Sequence, residues 1–432
     1  SYCTGLIGYL GEEGEVRDLS IEKSYIQGYY ETGAIVGRNR GKIKNCTNES
    51  KVIGDYYLTG GIAGRNTNTI ENCTNRGDIY GGEAQTGGIV GNCDYGNNIL
   101  VSSCENYGNI DSDIQSSSIG GIIGGAYASN DSRVEISNCY NVGKVGNLDV
   151  NLDSVGGIVG RARDYKEVVY NSITIKNCIN DGQVNGYNGV GGIVGHLQNA
   201  YIIKAKNTGN VNGSYSLIGG ITGINRDGYT RMSCNSGYIF LSEGGFYGVG
   251  GISGNCQSTN GVAKIEECYN TGEVYDISNI DNGRQAAGIV ANVGNASSSE
   301  YQSEILNCYN TGYIHGIGNM GGIASWGNGF KIVNCYNIGK LYCENEERGS
   351  KGGIICNINE EANNQCINNY WLDTCGASYG INELSSNEGA ESKTESELKG
   401  LASILSDKYT DDKNNINNGY PILKWQLEEN NN

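Results

Sequence analysis

The sequence is short of the residues that most binding and catalytic chemistries draw on. It has a single proline, Pro421, two histidines, two methionines, three phenylalanines and three tryptophans in 432 residues. No apolar run approaches the ~18 residues that a membrane-spanning helix needs, so no helical insertion is expected. Cations are outnumbered, with 30 Lys and Arg against 47 Asp and Glu and a formal net charge of −17. Affinity for phosphate backbones and anionic headgroups requires Lys and Arg, so neither nucleic acid nor a membrane surface is an expected partner. With no CxxC pair, two histidines and no HExxH, neither a zinc site nor a metallopeptidase centre is expected, and no cofactor is implied. Hydrophobic residues make up only 38 %. That is low for a large globule but sufficient for a solenoid, in which each coil needs few inward side chains.

What is abundant is glycine, tyrosine and cysteine, at 69, 31 and 16 residues, and they recur in a fixed pattern. A Gly-Gly-Ile signal, or a variant with Ala for one Gly, begins at Gly33, Gly60, Gly87, Gly120, Gly156, Gly191, Gly219, Gly250, Ala287, Gly321 and Gly352. These eleven copies lie 27 to 37 residues apart, a spacing of solenoids and arrays. Between signals an Asn recurs, at Asn48, Asn75, Asn106, Asn141, Asn180, Asn207, Asn235, Asn270, Asn310, Asn337 and Asn368. Two residues before it stands Cys in nine copies, namely Cys46, Cys73, Cys104, Cys139, Cys178, Cys268, Cys308, Cys335 and Cys366, with Ala205 and Ser233 in the other two. Gly follows the Asn by two residues in nine copies, and an aliphatic residue comes two further on.

The pieces Ile-x-Asn-Cys and x-Val are β-branched and too short for helices. The Gly-Gly-Ile-Val-Gly piece reads as a third strand with a tight corner or close backbone approach, and Asn-x-Gly reads as a turn at positive φ. Three short strands per copy make one coil of a parallel β-solenoid, right-handed by the general rule for parallel crossovers. Stacking would align like residues into an interior Cys ladder and an Asn ladder at the turn. At ~4.8 Å between strands, eleven or twelve coils form a rod on the order of 55 Å long. Nine cysteines in one repeat position that small residues also fill read as buried packing rather than a disulfide framework, with bridges between neighbouring coils left open because stacked Cα atoms lie within disulfide range. The larger inserts, Ala126–Arg133, Asp149–Ser154, Asp164–Ser172 and Asp276–Gln285, read as loops leaving the rod. Gathered on one side, they would mark a binding face.

The repeat domain is assigned to residues 1–375. The chain opens inside a divergent copy, so a segment of a longer protein is expected. Residues 376–393 are rich in Ser, Glu and Gly and read as a linker. In 394–432, Thr394-Glu395-Ser396-Glu397 forms a capping box. Leu398, Leu401, Ile404 and Leu405 then fall on one helical face. This segment is expected to cap the open end of the solenoid.

With these residues in view, the chain resembles the GLUG-motif repeat proteins of bacterial surfaces. The resemblance rests on Gly60-Gly61-Ile62-Ala63-Gly64 and its equivalents, on the following Ile-x-Asn-Cys-Tyr-Asn-Thr-Gly strand, and on the opening Gly5-Leu6-Ile7-Gly8-Tyr9-Leu10-Gly11. It implies a secreted or wall-attached protein, such as an adhesin-like molecule or the non-catalytic region of immunoglobulin A-cleaving metallopeptidases. It implies no catalytic residue.

Two chemistries are weighed on the residues themselves. The Tyr after the recurrent Cys, at Tyr140, Tyr269, Tyr309 and Tyr336, points away from the ladder if strands alternate. Such a stripe could stack on sugars or meet a host protein, although Tyr is also simply a good exposed β-former. Parallel β-helices also host polysaccharide lyases and hydrolases, but the loop acids Asp111, Asp113, Asp149 and Asp153 lack a full ligand pattern for calcium. His196 and His315 read as surface or edge residues. The expectation is therefore an all-β solenoid, non-enzymatic and extracellular, that binds glycans or proteins or serves as a spacer.

Overall fold

Short β-branched pieces alternating with small corner residues cannot bury a face alone, and here they do so by stacking. In the computed structural model the chain winds into a parallel β-solenoid of about eleven coils. The structure describes residues 2–115, 118–129, 132–166, 172–243, 245, 247–277, 285–296, 300–345 and 349–429. One coil runs through Leu58–Gly60, Ala63–Asn66, Thr69–Glu71, Thr74–Asn75 and Ile79–Tyr80, five pieces where the sequence indicated three. Each lies parallel on its equivalent one coil later, pairing Gly60 with Gly87, Ile70 with Val101, Asn75 with Asn106 and Ile79 with Ile110. The glycine pieces join a 28-stranded sheet, and the next two pieces of each coil form sheets of 12 and 13 strands.

The register stacks like on like. The Ile of every Gly-Gly-Ile signal, from Ile35 and Ile62 to Ile323 and Ile354, is fully buried. Complete burial of such a side chain stabilises by roughly 1.5–3 kcal/mol. Cys46, Cys73, Cys104, Cys139, Cys178, Cys268, Cys308 and Cys335 form an interior row, and none of the sixteen cysteines is in a disulfide. Burial pushes the Cys104 and Cys308 thiols well up, which holds them protonated. Each ladder thiol also approaches a carbonyl two residues before it, as Cys46 does Lys44 at 3.1 Å and Cys104 does Ser102 at 3.2 Å.

The Asn ladder is continuous over ten residues. Asn48 donates through Nδ2 to Asn75 Oδ1 at 2.8 Å, Asn75 to Asn106 at 2.8 Å and Asn106 to Asn141 at 2.7 Å. The chain of bonds continues through Asn180, Asn207, Asn235, Asn270 and Asn310 to Asn337. The second amide hydrogen goes to the carbonyl two residues on, as from Asn141 to Gly143 at 2.9 Å. None of the ten is exposed, so the ladder keeps their buried amides satisfied.

The glycines have a steric reason different from the one expected. The positive φ of each copy falls on the residue before the Cys position, for example Asn45, Asn72, Asn138 and Asn307, not on the ladder Asn or its glycine. Gly108, two residues after Asn106, is needed because a Cβ there would stand 2.0 Å from the Gly77 carbonyl oxygen of the coil below. The second glycine of the Gly-Gly pair faces the same constraint. A Cβ on Gly61 would lie 2.1 Å from the Gly88 oxygen and 2.6 Å from the Asn75 side chain. The two recurrent motifs therefore interlock.

The last copy corrects the sequence alignment by three residues. Cys366 lies in Gln365–Ile367 and pairs with Ile332, while Asn368 takes the positive-φ place. Asn369 occupies the Cys position, accepting from the Cys335 amide at 3.0 Å, and Trp371 pairs with Asn337 where the next Asn would stand. The indole ends the ladder by lying against Gly353.

The C-terminal assignments also change. Residues 376–393 do not form a bare linker: Tyr379–Ile381 pairs with Lys351–Ile358, and Ala390–Lys393 with Asn369–Leu372. This partial coil covers the end of the stack. The capping box at Thr394 and Glu397 is present, but the helix breaks at Gly400 into Glu395–Lys399 and Ala402–Leu405. Leu398, Leu401 and Leu405 are buried while Ile404 is exposed. The segment lies along the flank of the Asn-bearing sheet. Trp425 Nε1 donates to the Glu267 carbonyl at 2.9 Å, Tyr309 Oη to Gln426 at 3.0 Å and Tyr409 Oη to the Asn334 carbonyl at 3.0 Å. Among the described residues no helix is long and apolar enough to cross a membrane.

Candidate functional site

Strand alternation does turn the four tyrosines out of the coil, but it does not leave them free. Tyr269, Tyr309 and Tyr336 stack ring on ring at 5.0 Å, and Trp425 packs on Tyr269 at 5.6 Å. Beneath the C-terminal segment Tyr309 and Tyr336 are fully buried. Tyr336 Oη donates to the Pro421 carbonyl and accepts from Asn417 at 2.8 Å. Tyr140 alone stands clear of that segment, half-buried, donating to Asp181 and meeting Tyr107 edge-on. The row is thus a docking surface for the chain's own C-terminus. The loop acids do not converge either: Asp111 is held by the Ser112 amide and Asn147, and Asp153 by Asn188.

The open polar face lies instead on the strand that follows each Gly-Gly-Ile. Five residues after the first residue of each signal, one side chain per coil projects outward, and the register stacks these into a row. Arg38, Arg65 and Asn92 begin it, Gly125 leaves a gap, Arg161, His196 and Ile224 occupy the middle, and Asn255, Asn292 and Trp326 follow. A second row two residues on carries Tyr127, Arg163, Gln198, Arg226 and Gln257. The buried ladder positions are each dominated by one residue type, whereas these outward positions vary. That variability is the signal in the sequence that could have found them.

Walls on both sides make the face a groove. A pocket of about 220 Å³ has Asn92, Asp94 and Tyr127 on its floor, Tyr57 and Gln85 on one side, and Tyr95, Ser129 and Tyr165 on the other. A second, of about 500 Å³, has Asn255, Asn292 and Trp326 on its floor between Tyr247 and Gln285 on one side and Asn295 and Asn328 on the other. Ser129, Tyr165 and Gln285 come from three of the four long inserts. Parts of those inserts (130–131, 167–171 and 278–284) lie outside the described residues.

The electrostatics differ along the groove. At the N-terminal end charges are paired, with Arg38 Nε donating to Glu31 at 2.6 Å and Arg65 3.2 Å from Glu31 and 3.5 Å from Asp94. Burial pushes the Asp94 carboxyl up to about 6, against the pull of Arg65. In the middle His196, read from sequence as a surface or edge residue, is sunk in the groove. Burial, then Arg161, Arg226 and Arg163, push its imidazole down to about 3, so it is neutral at ordinary pH. His315 is held by Glu344 at 2.8 Å, beside Tyr275 and Tyr342. Among the described residues no cluster of three or more His, Cys, Asp or Glu is placed to hold a metal ion.

Ladders, interlocking glycines and a polar groove define a parallel β-solenoid repeat protein. Residues 55–80, which span one complete coil, match the family model described as the GLUG motif. No curated protein and no solved structure matches it.

Proposed function

We propose that this chain is a non-catalytic binding module that holds an extended carbohydrate along the groove, as part of a secreted or surface-displayed bacterial protein. The observation that carries this reading is the groove's chemistry. Amide side chains of Asn92, Asn255, Asn292, Gln257 and Gln285 stand beside Trp326, Tyr127 and Tyr165 on one rigid face. Amides donate and accept together, as sugar hydroxyls require, and aromatic faces stack on sugar rings. Pockets of this size on a preformed scaffold suit small polar units of a chain. The extracellular assignment is supported by the GLUG motif and by its resemblance to surface repeat proteins.

A polysaccharide array probed with the purified chain tests the reading. Binding that falls at least tenfold in Trp326→Ala, with the thermal midpoint unchanged, is the expected result. Binding confined to host proteins, or none, overturns it in favour of a protein-binding module or a spacer.

One observation favours a second reading. Asp94, with its raised carboxyl, sits in a tyrosine-lined pocket as general acids do. Turnover of any polysaccharide that binds, abolished in Asp94→Asn, would make the chain a carbohydrate-active enzyme.

A further inference from the structure

From the first pocket to the edge of the second the groove carries three arginines that form no salt bridge among the described residues. Arg161 pairs in register with His196, and Arg163, Gln198 and Arg226 follow one another up the stack. At the ~4.8 Å strand spacing, Arg163 and Arg226 stand roughly 10 Å apart. Arg161 donates to Ser154 Oγ at 3.2 Å, and Arg163 lies over the Tyr165 ring at 4.6 Å. Neither they nor Arg226 reach a carboxylate among the described residues, whereas Arg38, Arg65 and Arg231 all do. Asp153 feels the charge of Arg161 but is held by Asn188, the Asp164 carboxylate receives the Lys166 amide at 3.0 Å through one oxygen and leaves the other unpaired, and Asp227 takes the amides of Thr259, Asn260 and Gly261.

The Nε atoms of Arg161, Arg163 and Arg226, with Nε2 of His196, are shut off from solvent and have no hydrogen-bond partner. Leaving a guanidinium N–H both dry and unpaired is costly. It is the more notable in a chain with a net charge of −17, where a compensating Asp or Glu is readily available. An arginine fork fits an oxyanion held by two N–H bonds. Tyr165 lines one flanking pocket and Arg226 the other, so an anion here would be continuous with whatever fills both.

We propose that Arg161, Arg163, His196 and Arg226 form an oxyanion subsite in the groove, and that the carbohydrate bound there is acidic, carrying carboxylates or sulfate esters. This rests on the carbohydrate reading above and narrows it. Paired charges at Glu31, Arg38, Arg65 and Asp94 leave the N-terminal end for neutral units, so one acidic group is read in the middle of the site.

The test immobilises polygalacturonate, chondroitin sulfate, a neutral mixed-linkage β-glucan and duplex DNA, and titrates the whole chain over each at two salt concentrations. The expected result is binding to polygalacturonate or chondroitin sulfate at least tenfold tighter than to the neutral glucan, weakening with salt. Which of the two binds separates carboxylate from sulfate ester. The double variant Arg163→Gln, Arg226→Gln should lose at least tenfold of that affinity, and Arg133→Gln, exposed on another sheet, should lose none. If the double variant fails to fold, Arg161→Gln and Arg226→Gln singly carry the comparison. Equal or tighter binding of the neutral glucan overturns the oxyanion subsite while leaving the carbohydrate reading intact. DNA bound as tightly as the acidic glycans also overturns it, by showing an unselective polyanion surface. No binding to any of the four overturns both.

Discussion

At the scale of the residue, ladder positions differ sharply in how replaceable they are. Each interior ladder Asn engages three neighbours at once. Asn141 accepts from Asn106 and donates to Asn180 and to the Gly143 carbonyl. Asn141→Ala strands buried groups on both adjoining coils, and at ~1–3 kcal/mol for each orphaned group it should cost about 3 kcal/mol or more. The Cys position is more tolerant. Ser233 already fills it, donating to the Arg231 carbonyl at 2.9 Å and accepting from the Ala205 amide at 3.1 Å. Cys139→Ser should therefore cost about 1 kcal/mol. Urea midpoints of the two variants check the order, and an inverted order would mean the Asn ladder contributes little. The ladder thiols should also stay unreactive to a thiol reagent until the chain is denatured.

Two titrating residues give the fold opposed pH dependences. Burial, and after it the field of Arg161, Arg226 and Arg163, holds the His196 pKa at about 3 in the fold against 6.5 ordinarily. The unfolded chain takes up that proton first, so stability falls as pH drops from 6.5 towards 3. Asp94 runs the other way. Its carboxyl is raised from 3.8 to about 6, so its contribution is present below 3.8 and is lost as pH rises through 6. His196→Gln should flatten the decline of the thermal midpoint between pH 6.5 and 4, whereas Asp94→Asn should steepen it. Identical profiles for both variants and the parent would refute the assignment.

At the scale of the element, the C-terminal segment behaves as a strap. Its anchor is Trp425, buried on Tyr269 and bonded to the Glu267 carbonyl. Truncating a packed tryptophan costs about 3–5 kcal/mol, more than a segment of three short helices held by a few hydrogen bonds is expected to withstand. Trp425→Ala should release residues 394–429 to limited proteolysis and expose Tyr309 and Tyr336, while the coils keep their β circular dichroism. If the whole chain unfolds together instead, the strap and the solenoid form one cooperative unit. Sequence reasoning identified the capping box and three of four buried leucine-type positions in this segment, but it misplaced the docking site. The outward tyrosines have one local pattern whether they face water or another part of the chain.

At the scale of the whole molecule, stability is a sum over stacked neighbours. Deleting residues 61–87 should join Gly60 to Gly88 in register, bring Asn48 opposite Asn106, and give a folded rod one coil shorter. Deleting 61–86 leaves one extra residue at the Gly-Gly corner, shifts the junction coil by one against its neighbour and should lower stability sharply, because strand register has a period of two. Circular dichroism and gel filtration distinguish the outcomes. If both deletions fold equally well, the ladders do not set the register.

The sequence by itself determined the solenoid, because stacking at a fixed register forces the same residue type into the same place in every coil. The buried Ile, Cys and Asn rows and the interlocked glycines were therefore readable as recurrence. Tertiary structure alone decided what covers those coils and what remains open. The shift of the last copy, with Cys366 outside the ladder and Trp371 ending it, follows from three-dimensional pairing that overrides a chance Cys-x-Asn match. The burial of Tyr309 and Tyr336 depends on a segment far away in sequence. Arg161, Arg163, His196 and Arg226 come together only when coils about 30 residues apart are stacked. The repeat leaves these positions unconstrained, because their side chains face out of the coil and no ladder depends on them.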